Sequence, residues 1–149
     1  MKYRSSLEAK LANSELIEFD YEPRNSQVAY TVPHNYFPDF IHPDQPNVIV
    51  EAKGYFRGGS ADTKKYLAVI KDNPDKELVF IFPDPNKKAY PQCRMRSDGT
   101  YLSMGDWCTM HNILYFKVGN LPIGFIKGRM SVETLRSYKK SLMRTGEII

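Results

Sequence analysis

The sequence lacks the features that would mark a membrane protein, a secreted disulfide scaffold or a nucleotide-driven enzyme. Its 149 residues contain no apolar run approaching the roughly 20 residues that cross a bilayer. The first residues lead into a polar helix pattern without the apolar core of a secretory signal. The two cysteines, Cys93 and Cys108, are too few for a disulfide framework, and neither GxxxxGK[ST] nor GxGxxG occurs. We therefore expect a cytoplasmic protein with no membrane partner and no nucleotide cofactor.

What the sequence does contain is an ordinary globular composition with an uneven distribution of charge. Hydrophobic residues make up 42% and charged residues 26%, which suits a single folded core rather than a disordered chain. Residues 1–60 carry 6 basic and 8 acidic residues, whereas residues 61–149 carry 15 and 9. An acidic first part joined to a basic second part is typical of a metal site beside a phosphate-binding surface, although chance also produces it.

The N-terminal part predicts a helix followed by an extended arm. Ser5 and Glu8 have the spacing of a capping box, and the apolar spacing of a helix continues to about Ile17. Apolar and polar residues then alternate over 18–33, which predicts a strand. We expect 1–33 to be a helix and bridging strand, and 34–149 to be the core.

The remainder predicts an α/β core in which part of the sheet is parallel. Short strands are expected at 36–41 and 47–53, on either side of a turn at 42–46. A helix after Gly59 and the continuous apolar run 78–82 complete a βαβ unit, and this connection requires parallel strands. Further along, a short helix near 104–111, a strand near 113–116 and an amphipathic helix from Ser131 to Gly146 are predicted.

One pair of motifs in this core has the residue types of a metal-dependent site. Asp39 follows a proline, and twelve residues later Glu51 and Lys53 flank Ala52. Because side chains alternate along a strand, Glu51 and Lys53 share a face, and pairing through the 42–46 turn would bring Asp39 to the same place. Two adjacent carboxylates repel unless a cation lies between them, and Mg²⁺ prefers such oxygen ligands. A solvated sheet face would carry the same pattern, so the spacing alone leaves both interpretations open.

Four segments in chain order strengthen the metal-site interpretation. They are Arg4-Ser5-Ser6-Leu7-Glu8, Tyr36-Phe37-Pro38-Asp39-Phe40, Val50-Glu51-Ala52-Lys53-Gly54 and Gly105-Asp106-Trp107-Cys108-Thr109-Met110-His111-Asn112-Ile113. Together they resemble the phage endonuclease I family, the junction-resolving nucleases of the PD-(D/E)xK superfamily. The likeness extends from about residue 4 to about residue 118, and the region 119–149 matches only loosely.

The resemblance implies a fold, an activity and a set of site residues. It implies a restriction-endonuclease-like mixed sheet flanked by helices, in a homodimer that exchanges its N-terminal arms. It implies cleavage of four-way (Holliday) and branched DNA junctions by hydrolysis that depends on Mg²⁺, with Mn²⁺ as a substitute, as in DNA recombination in a host bacterial cytoplasm. The catalytic positions would be Glu8, Asp39, Glu51 and Lys53, and the three carboxylates among them would hold metal. By spacing alone, Glu8 is equally suited to cap its own helix.

Basic residues downstream of this site are candidates for DNA contacts. They are Arg57, Lys64, Lys65, Lys87, Lys88, Arg94 and Arg96, with Arg136, Lys139, Lys140 and Arg144 in the final helix. Each alone is typical of a solvated surface, but as a set they could neutralise several phosphates without reading bases.

Two alternative functions and one alternative metal site stay open. A restriction- or repair-type nuclease would act on linear or mismatched duplex DNA, and a catalytically silent module would bind DNA without cutting it. Cys93, Cys108 and His111 could also contribute to a zinc site, but a fourth ligand is lacking and core packing is favoured for Cys108.

Overall fold

The computed structural model describes residues 2–29 and 32–146, and the chain divides into two units, Met1–Asn35 and Tyr36–Ile149. Three residues of the predicted arm, Met1, Tyr30 and Thr31, lie outside the described residues, as do 147–149 at the end of the predicted core. None of the helices within residues 2–29 and 32–146 has the length and apolar character of a membrane-spanning segment.

The first unit contains helix α1, Ser6–Ala12, which is shorter than the sequence predicts. The start is confirmed, because the Ser5 hydroxyl accepts a hydrogen bond from the Glu8 amide at 3.1 Å. The predicted extension to about Ile17 is wrong. Side chains of Asn13 and Ser14 donate to the carbonyls of Ala9 and Lys10, each at 2.7 Å, and such local bonds compete with continuation of the helix.

The strand predicted over 18–33 is absent from the described part of that segment. Glu22 and Asn25 have φ angles of 45° and 58°, which are incompatible with an extended strand. The Ser26 hydroxyl donates to the Pro23 carbonyl at 2.6 Å and closes a turn between the two halves of the alternating pattern. Three apolar side chains of the segment, Phe19, Val28 and Val32, are exposed.

The second unit is a small sheet flanked by helices, as the sequence predicts, but its three strands are all parallel, whereas a mixed sheet is expected. Its elements are β1 Val48–Ala52, α2 Ser60–Asp72, β2 Glu77–Phe82, α3 Met104–Met110, β3 Leu114–Lys117, α4 Ile123–Ile126 and α5 Val132–Arg144. The strands are ordered β1-β2-β3, and both pairings are parallel. The β1–α2–β2 connection confirms the predicted βαβ unit, whereas α4 has no counterpart in the sequence prediction.

The sheet separates two apolar clusters, because successive side chains of a strand face opposite sides. The first cluster contains Ile49, Leu78 and Phe80 together with α2 and α3 residues such as Tyr66 and Trp107. The second contains Val48, Val79, Leu114 and Phe116, and it is covered by the α5 residue Leu135. Central strand β2 contributes to both clusters, which explains its continuous run of apolar residues.

The strand predicted at 36–41 is reduced to one antiparallel bridge between Phe40 and Val50. Phe40 donates to the Val50 carbonyl at 3.1 Å and Val50 donates back at 2.9 Å. The ladder of backbone hydrogen bonds does not continue beyond this bridge. The Asp39 amide donates to the Glu51 carboxylate, and the Ala52 amide donates to the Asp39 carboxylate, instead of to backbone carbonyls. The predicted pairing through the turn is therefore present, but side chains replace most of its ladder.

Candidate active site

Asp39 and Glu51 lie side by side at the carboxyl end of β1. The Asp39 amide donates to Glu51 Oε1 at 3.1 Å, and the Ala52 amide donates to Asp39 Oδ2 at 3.2 Å. Glu51 is only 2% exposed, whereas Asp39 is open to solvent. The carboxyl ends of parallel strands are the usual position of ligand sites in α/β sheets. The structure thus brings together the two carboxylates that the sequence predicts to meet.

The surroundings of Glu51 disfavour the ionised form of its carboxyl group. Burial raises the pKa of Glu51, the hydrogen bond donated by the Tyr36 hydroxyl lowers it, and the neighbouring Asp39 carboxyl raises it. The net result is a pKa above the ordinary value for glutamate. A bound cation would favour the ionised form of both carboxylates and reverse this shift.

Lys53 adds a positive charge to the site formed by Asp39 and Glu51. The residue follows β1, and its amide donates to the Ile81 carbonyl at 3.1 Å, which continues the parallel pairing with β2. Its Nζ lies 5.7 Å from the centre of the Tyr66 ring. Burial lowers the pKa of Lys53, but a hydrogen bond with Tyr66 and the negative charges of Glu51 and Asp62 outweigh this and raise it. Lys53 is therefore an ammonium at neutral pH, which can stabilise negative charge but cannot accept a proton.

The donor chemistry of this cluster fits a hard divalent ion. Carboxylate oxygens are the ligands that Mg²⁺ prefers, and it is usually bound by one or two of them while keeping several waters. Within residues 2–29 and 32–146, no three His, Cys, Asp or Glu side chains gather as a fuller metal site. The described ligand set at β1 is therefore the pair Asp39 and Glu51, with open access on the Asp39 side.

Glu8 belongs to the other unit, where its carboxylate has local partners. Its Oε2 accepts hydrogen bonds from the Tyr21 hydroxyl at 2.6 Å and from the Arg4 amide at 3.0 Å. The bond from Tyr21 is the main cause that lowers the pKa of Glu8. The Glu8 amide thus bonds the Ser5 cap, while its carboxylate bonds the preceding Arg4 amide, and its part in metal binding stays a prediction.

The seven candidates for DNA contacts that precede the final helix all lie in the second unit, and six of them are exposed. Lys88 is half-buried. Two tyrosine rings hold three of these charges: Arg57 and Lys87 lie 5.7 and 4.4 Å from the centre of the Tyr55 ring. Lys65 lies 4.8 Å from the Tyr66 ring that also holds Lys53. A cation over an aromatic face gains about 0.5–1 kcal/mol at an exposed site, which favours these positions of the three positive charges.

Two of the four basic side chains predicted to contact DNA from α5, Arg136 and Lys139, bond to other parts of the protein instead. Lys139 is 7% exposed, and its Nζ donates to the Tyr115 carbonyl at 2.5 Å, so its prediction as a surface phosphate contact is wrong. It lies one helical turn after the buried Leu135 and therefore shares the face of α5 that packs on the sheet. Arg136 donates to the Asn112 side chain and carbonyl at 3.2 and 3.1 Å and anchors α5 to the β3 end of the sheet.

The cysteines are structural. Both are free and buried, and Cys108 is fully enclosed in the first apolar cluster, as favoured from the sequence. Burial raises the pKa of the Cys108 thiol far above its ordinary value, which leaves it a poor nucleophile. The His111 ring packs against Trp107 with 5.1 Å between ring centres.

Two tyrosines of the site, Tyr36 and Tyr66, were not predicted from the sequence. Tyr36 donates a hydrogen bond to Glu51, and Tyr66 supports Lys53. The sequence signal for Tyr36 is its place three residues before Asp39, and for Tyr66 its position on the apolar stripe of α2. The general expectation that aromatic residues fill the core gives no reason to assign either hydroxyl to the site.

Comparison with known proteins finds relatives across most of the chain. The model of the phage endonuclease I family matches residues 1–141. The chain is 33% identical to "Endodeoxyribonuclease 1" of Enterobacteria phage T3 over 119 residues, which cover 76% of this chain and 70% of the relative. It is 32% identical to "Endonuclease I" of Escherichia phage T7 over 119 residues, which cover 76% of this chain and 71% of the relative.

Proposed function

The chain belongs to the phage endonuclease I family, and we propose that it is a structure-selective DNA endonuclease that resolves four-way (Holliday) and other branched DNA junctions. The proposal includes a PD-(D/E)xK nuclease fold and action in the cytoplasm of a host bacterium during DNA recombination. The observation that carries it is the meeting of Asp39, Glu51 and Lys53 at the carboxyl end of β1. The names of the phage T3 and T7 relatives, both endonucleases, support the reaction class.

In this proposal Asp39 and Glu51 hold Mg²⁺, for which Mn²⁺ can substitute. The ion would stabilise negative charge on the phosphate oxygens as a Lewis acid and would lower the pKa of a bound water, which makes a nucleophile at neutral pH. The exposed Asp39 carboxylate faces the solvent from which the DNA backbone approaches, while the buried Glu51 is fixed by its hydrogen bonds. Each carboxylate thus has a distinct task, one towards the substrate and one towards the protein.

Lys53 acts on the phosphate rather than as a base. Its ammonium is held by Tyr66 next to Glu51, and hydrolysis adds negative charge to the phosphate group in the transition state. A preorganised positive charge at this point stabilises that state more than the ground state. It also orients the attacking water by donating a hydrogen bond to it.

Recognition of the junction rests on the basic residues of the second unit. Arg57, Lys64, Lys65, Lys87, Lys88, Arg94 and Arg96 contact phosphates in this proposal, and several of them are ordered over tyrosine rings. A protein that makes about 6–10 phosphate contacts loses about 10³–10⁵ in affinity between 50 and 200 mM salt. Selectivity then comes from the shape and deformability of the branched DNA, without base contacts.

The proposed active form is a homodimer whose chains exchange their N-terminal arms, 1–33. Two symmetric cuts across a junction require two sites, and exchange would make each site composite, with Glu8 from one chain and Lys53 from the other. A mixed dimer of Glu8→Ala and Lys53→Ala chains tests this. If sites are composite, one site keeps both residues and the mixed dimer nicks one strand. If each chain builds its own site, the mixed dimer is inactive.

Cleavage of a synthetic four-way junction with and without Mg²⁺, beside its linear arms, tests the assigned function. We expect Mg²⁺-dependent cuts at symmetric positions near the branch point and little cutting of the linear arms. Equal cutting of linear or mismatched duplexes would favour a restriction- or repair-type nuclease. Binding of the junction without any metal-dependent cutting would favour a catalytically silent module.

A further inference from the structure

One oxygen of the buried Glu51 carboxylate receives two hydrogen bonds from the segment that precedes the turn. The Tyr36 hydroxyl and the Asp39 amide both donate to Glu51 Oε1. Two donors on a single oxygen fix the rotation of a carboxylate about its last bond, because turning it would break both. Oε2 receives neither of these bonds and is the oxygen available to face a ligand.

The ring of Tyr36 is itself held against the apolar core. It packs edge-to-face on Tyr66 with 6.0 Å between ring centres. Tyr66 is 1% exposed and packs against Phe80 and Phe56, with ring centres 5.0 and 6.0 Å apart. The hydroxyl of Tyr36 is thus placed by a rigid aromatic group rather than by a flexible loop.

Tyr66 connects this arrangement to the other end of the site. Its ring supports Tyr36, which bonds Glu51, and it also carries the Lys53 ammonium. The negative and positive groups of the site are therefore positioned from one buried ring. Without the Tyr36 hydroxyl, Glu51 would keep its place on β1 but lose one of the two bonds that orient its carboxylate.

We propose that Tyr36 is a positioning residue that orients the Glu51 carboxylate for metal binding, an inference that rests on the proposed function. Hydrogen bonds to a ligating carboxylate commonly matter for affinity, and their removal typically costs about 10–100-fold in metal binding or activity. The role of Tyr36 differs from a packing role, because replacement by phenylalanine keeps the ring and removes only the hydroxyl.

The test compares the full-length Tyr36→Phe protein with wild type and with a matched control. Tyr138→Phe removes a hydroxyl from a half-buried tyrosine that stacks on Phe116 on the opposite face of the sheet. Mn²⁺ binding is measured by calorimetry on the DNA-free proteins, and Asp39→Ala defines the signal that does not come from the site. The Mg²⁺ dependence of junction cleavage and the affinity for junction DNA in EDTA are measured in parallel.

We expect Tyr36→Phe to weaken Mn²⁺ binding about tenfold or more and to raise the Mg²⁺ concentration for half-maximal cleavage by a similar factor. Junction affinity in EDTA should stay within about twofold of wild type, and Tyr138→Phe should resemble wild type throughout. Unchanged Mn²⁺ binding in Tyr36→Phe would overturn the proposal, as would a wild type that binds no Mn²⁺. A wild type that binds Mn²⁺ more tightly than Tyr36→Phe but cuts no DNA would support the positioning role while refuting the proposed function.

Discussion

Replacing Glu51 by glutamine should stabilise the metal-free protein. The wild-type carboxylate is buried next to Asp39 and has a raised pKa because of burial, so its ionised form is unfavourable in the folded state. Glutamine has the same shape, and its amide oxygen can still accept from Tyr36 and the Asp39 amide. Its NH₂ group can in addition donate to the Asp39 carboxylate. The substitution therefore removes a repulsion and adds a possible hydrogen bond.

The expected gain at neutral pH is small but measurable. Two unit charges ~4 Å apart repel by about 1 kcal/mol in water and by about 4 kcal/mol at a dielectric of ~20. The exposure of Asp39 places this pair towards the lower end of that range. Each of the two hydrogen bonds to Glu51 also weakens by about 1 kcal/mol when its acceptor becomes neutral. Removal of the burial penalty, the largest cause of the raised pKa of Glu51, outweighs that weakening, so a net gain on the order of 1 kcal/mol remains, which raises Tm by about 2–4 °C in a chain of this size.

The sign of the pH dependence follows from the raised pKa. Between the ordinary glutamate value of 4.5 and the raised value, the folded wild type keeps a proton that the unfolded chain releases. Wild-type stability therefore falls as pH rises through this window, and the glutamine variant lacks that fall. The gain from the substitution should be largest at neutral pH and shrink in acid.

Thermal melting in EDTA from pH 4.5 to pH 8, followed by melting in Mg²⁺, provides the measurement. Mg²⁺ at about 100 times its Kd should stabilise wild type by about 2.7 kcal/mol and reverse the order of the two proteins. Glu18→Gln, which changes an exposed glutamate, serves as the control and should melt like wild type. If Glu51→Gln melts below wild type in EDTA at neutral pH, the carboxylate is a structural group and the reasoning fails.

Three further predictions concern other charged groups. Lys53→Ala should abolish cleavage but leave junction binding within about threefold in a gel-shift assay, and an equal loss of both would make Lys53 an anchoring residue. Arg57→Ala combined with Lys87→Ala should lower the slope of log affinity against log salt by about two, and an unchanged slope would remove both from the interface. Burial lowers the pKa of Lys139 to about 8, so the free energy of unfolding of the wild type should rise between pH 8 and 10.5. A Lys139→Met variant that keeps this rise would show that Lys139 is not its cause.

The core elements were predictable because their periodicities are strong and local. The apolar run 78–82 between breakers, the apolar stripe of α2 and the cap at Ser131 each specify an element without distant partners. The meeting of Asp39 with Glu51 followed from the turn at 42–46 and the alternation of side chains. In each case the physical determinant lies within about fifteen residues of sequence.

The errors arise where the outcome depends on tertiary partners. The alternation over 18–33 meets the local requirement for a strand, but a strand also needs a neighbouring ladder, and two left-handed residues interrupt this segment. Lys139 was predicted to be a surface charge from its residue type, but it lies four residues after Leu135 and therefore on the face of α5 that packs against the sheet. Tyr36 and Tyr66 read as core aromatics, because only the folded chain brings their hydroxyl groups to Glu51 and Lys53.

The most direct test of the account compares Mg²⁺-dependent cleavage of a four-way junction by wild type, Asp39→Asn and Asp44→Asn. Asp39 contacts Glu51 and Ala52 at the site, whereas Asp44 is an exposed turn residue five positions later. We predict that Asp39→Asn binds the junction as wild type does in EDTA and cuts it at least about 10³-fold more slowly. Asp44→Asn should cut like wild type. Cleavage by Asp39→Asn at the wild-type rate would contradict a metal-dependent nuclease site at the carboxyl end of β1.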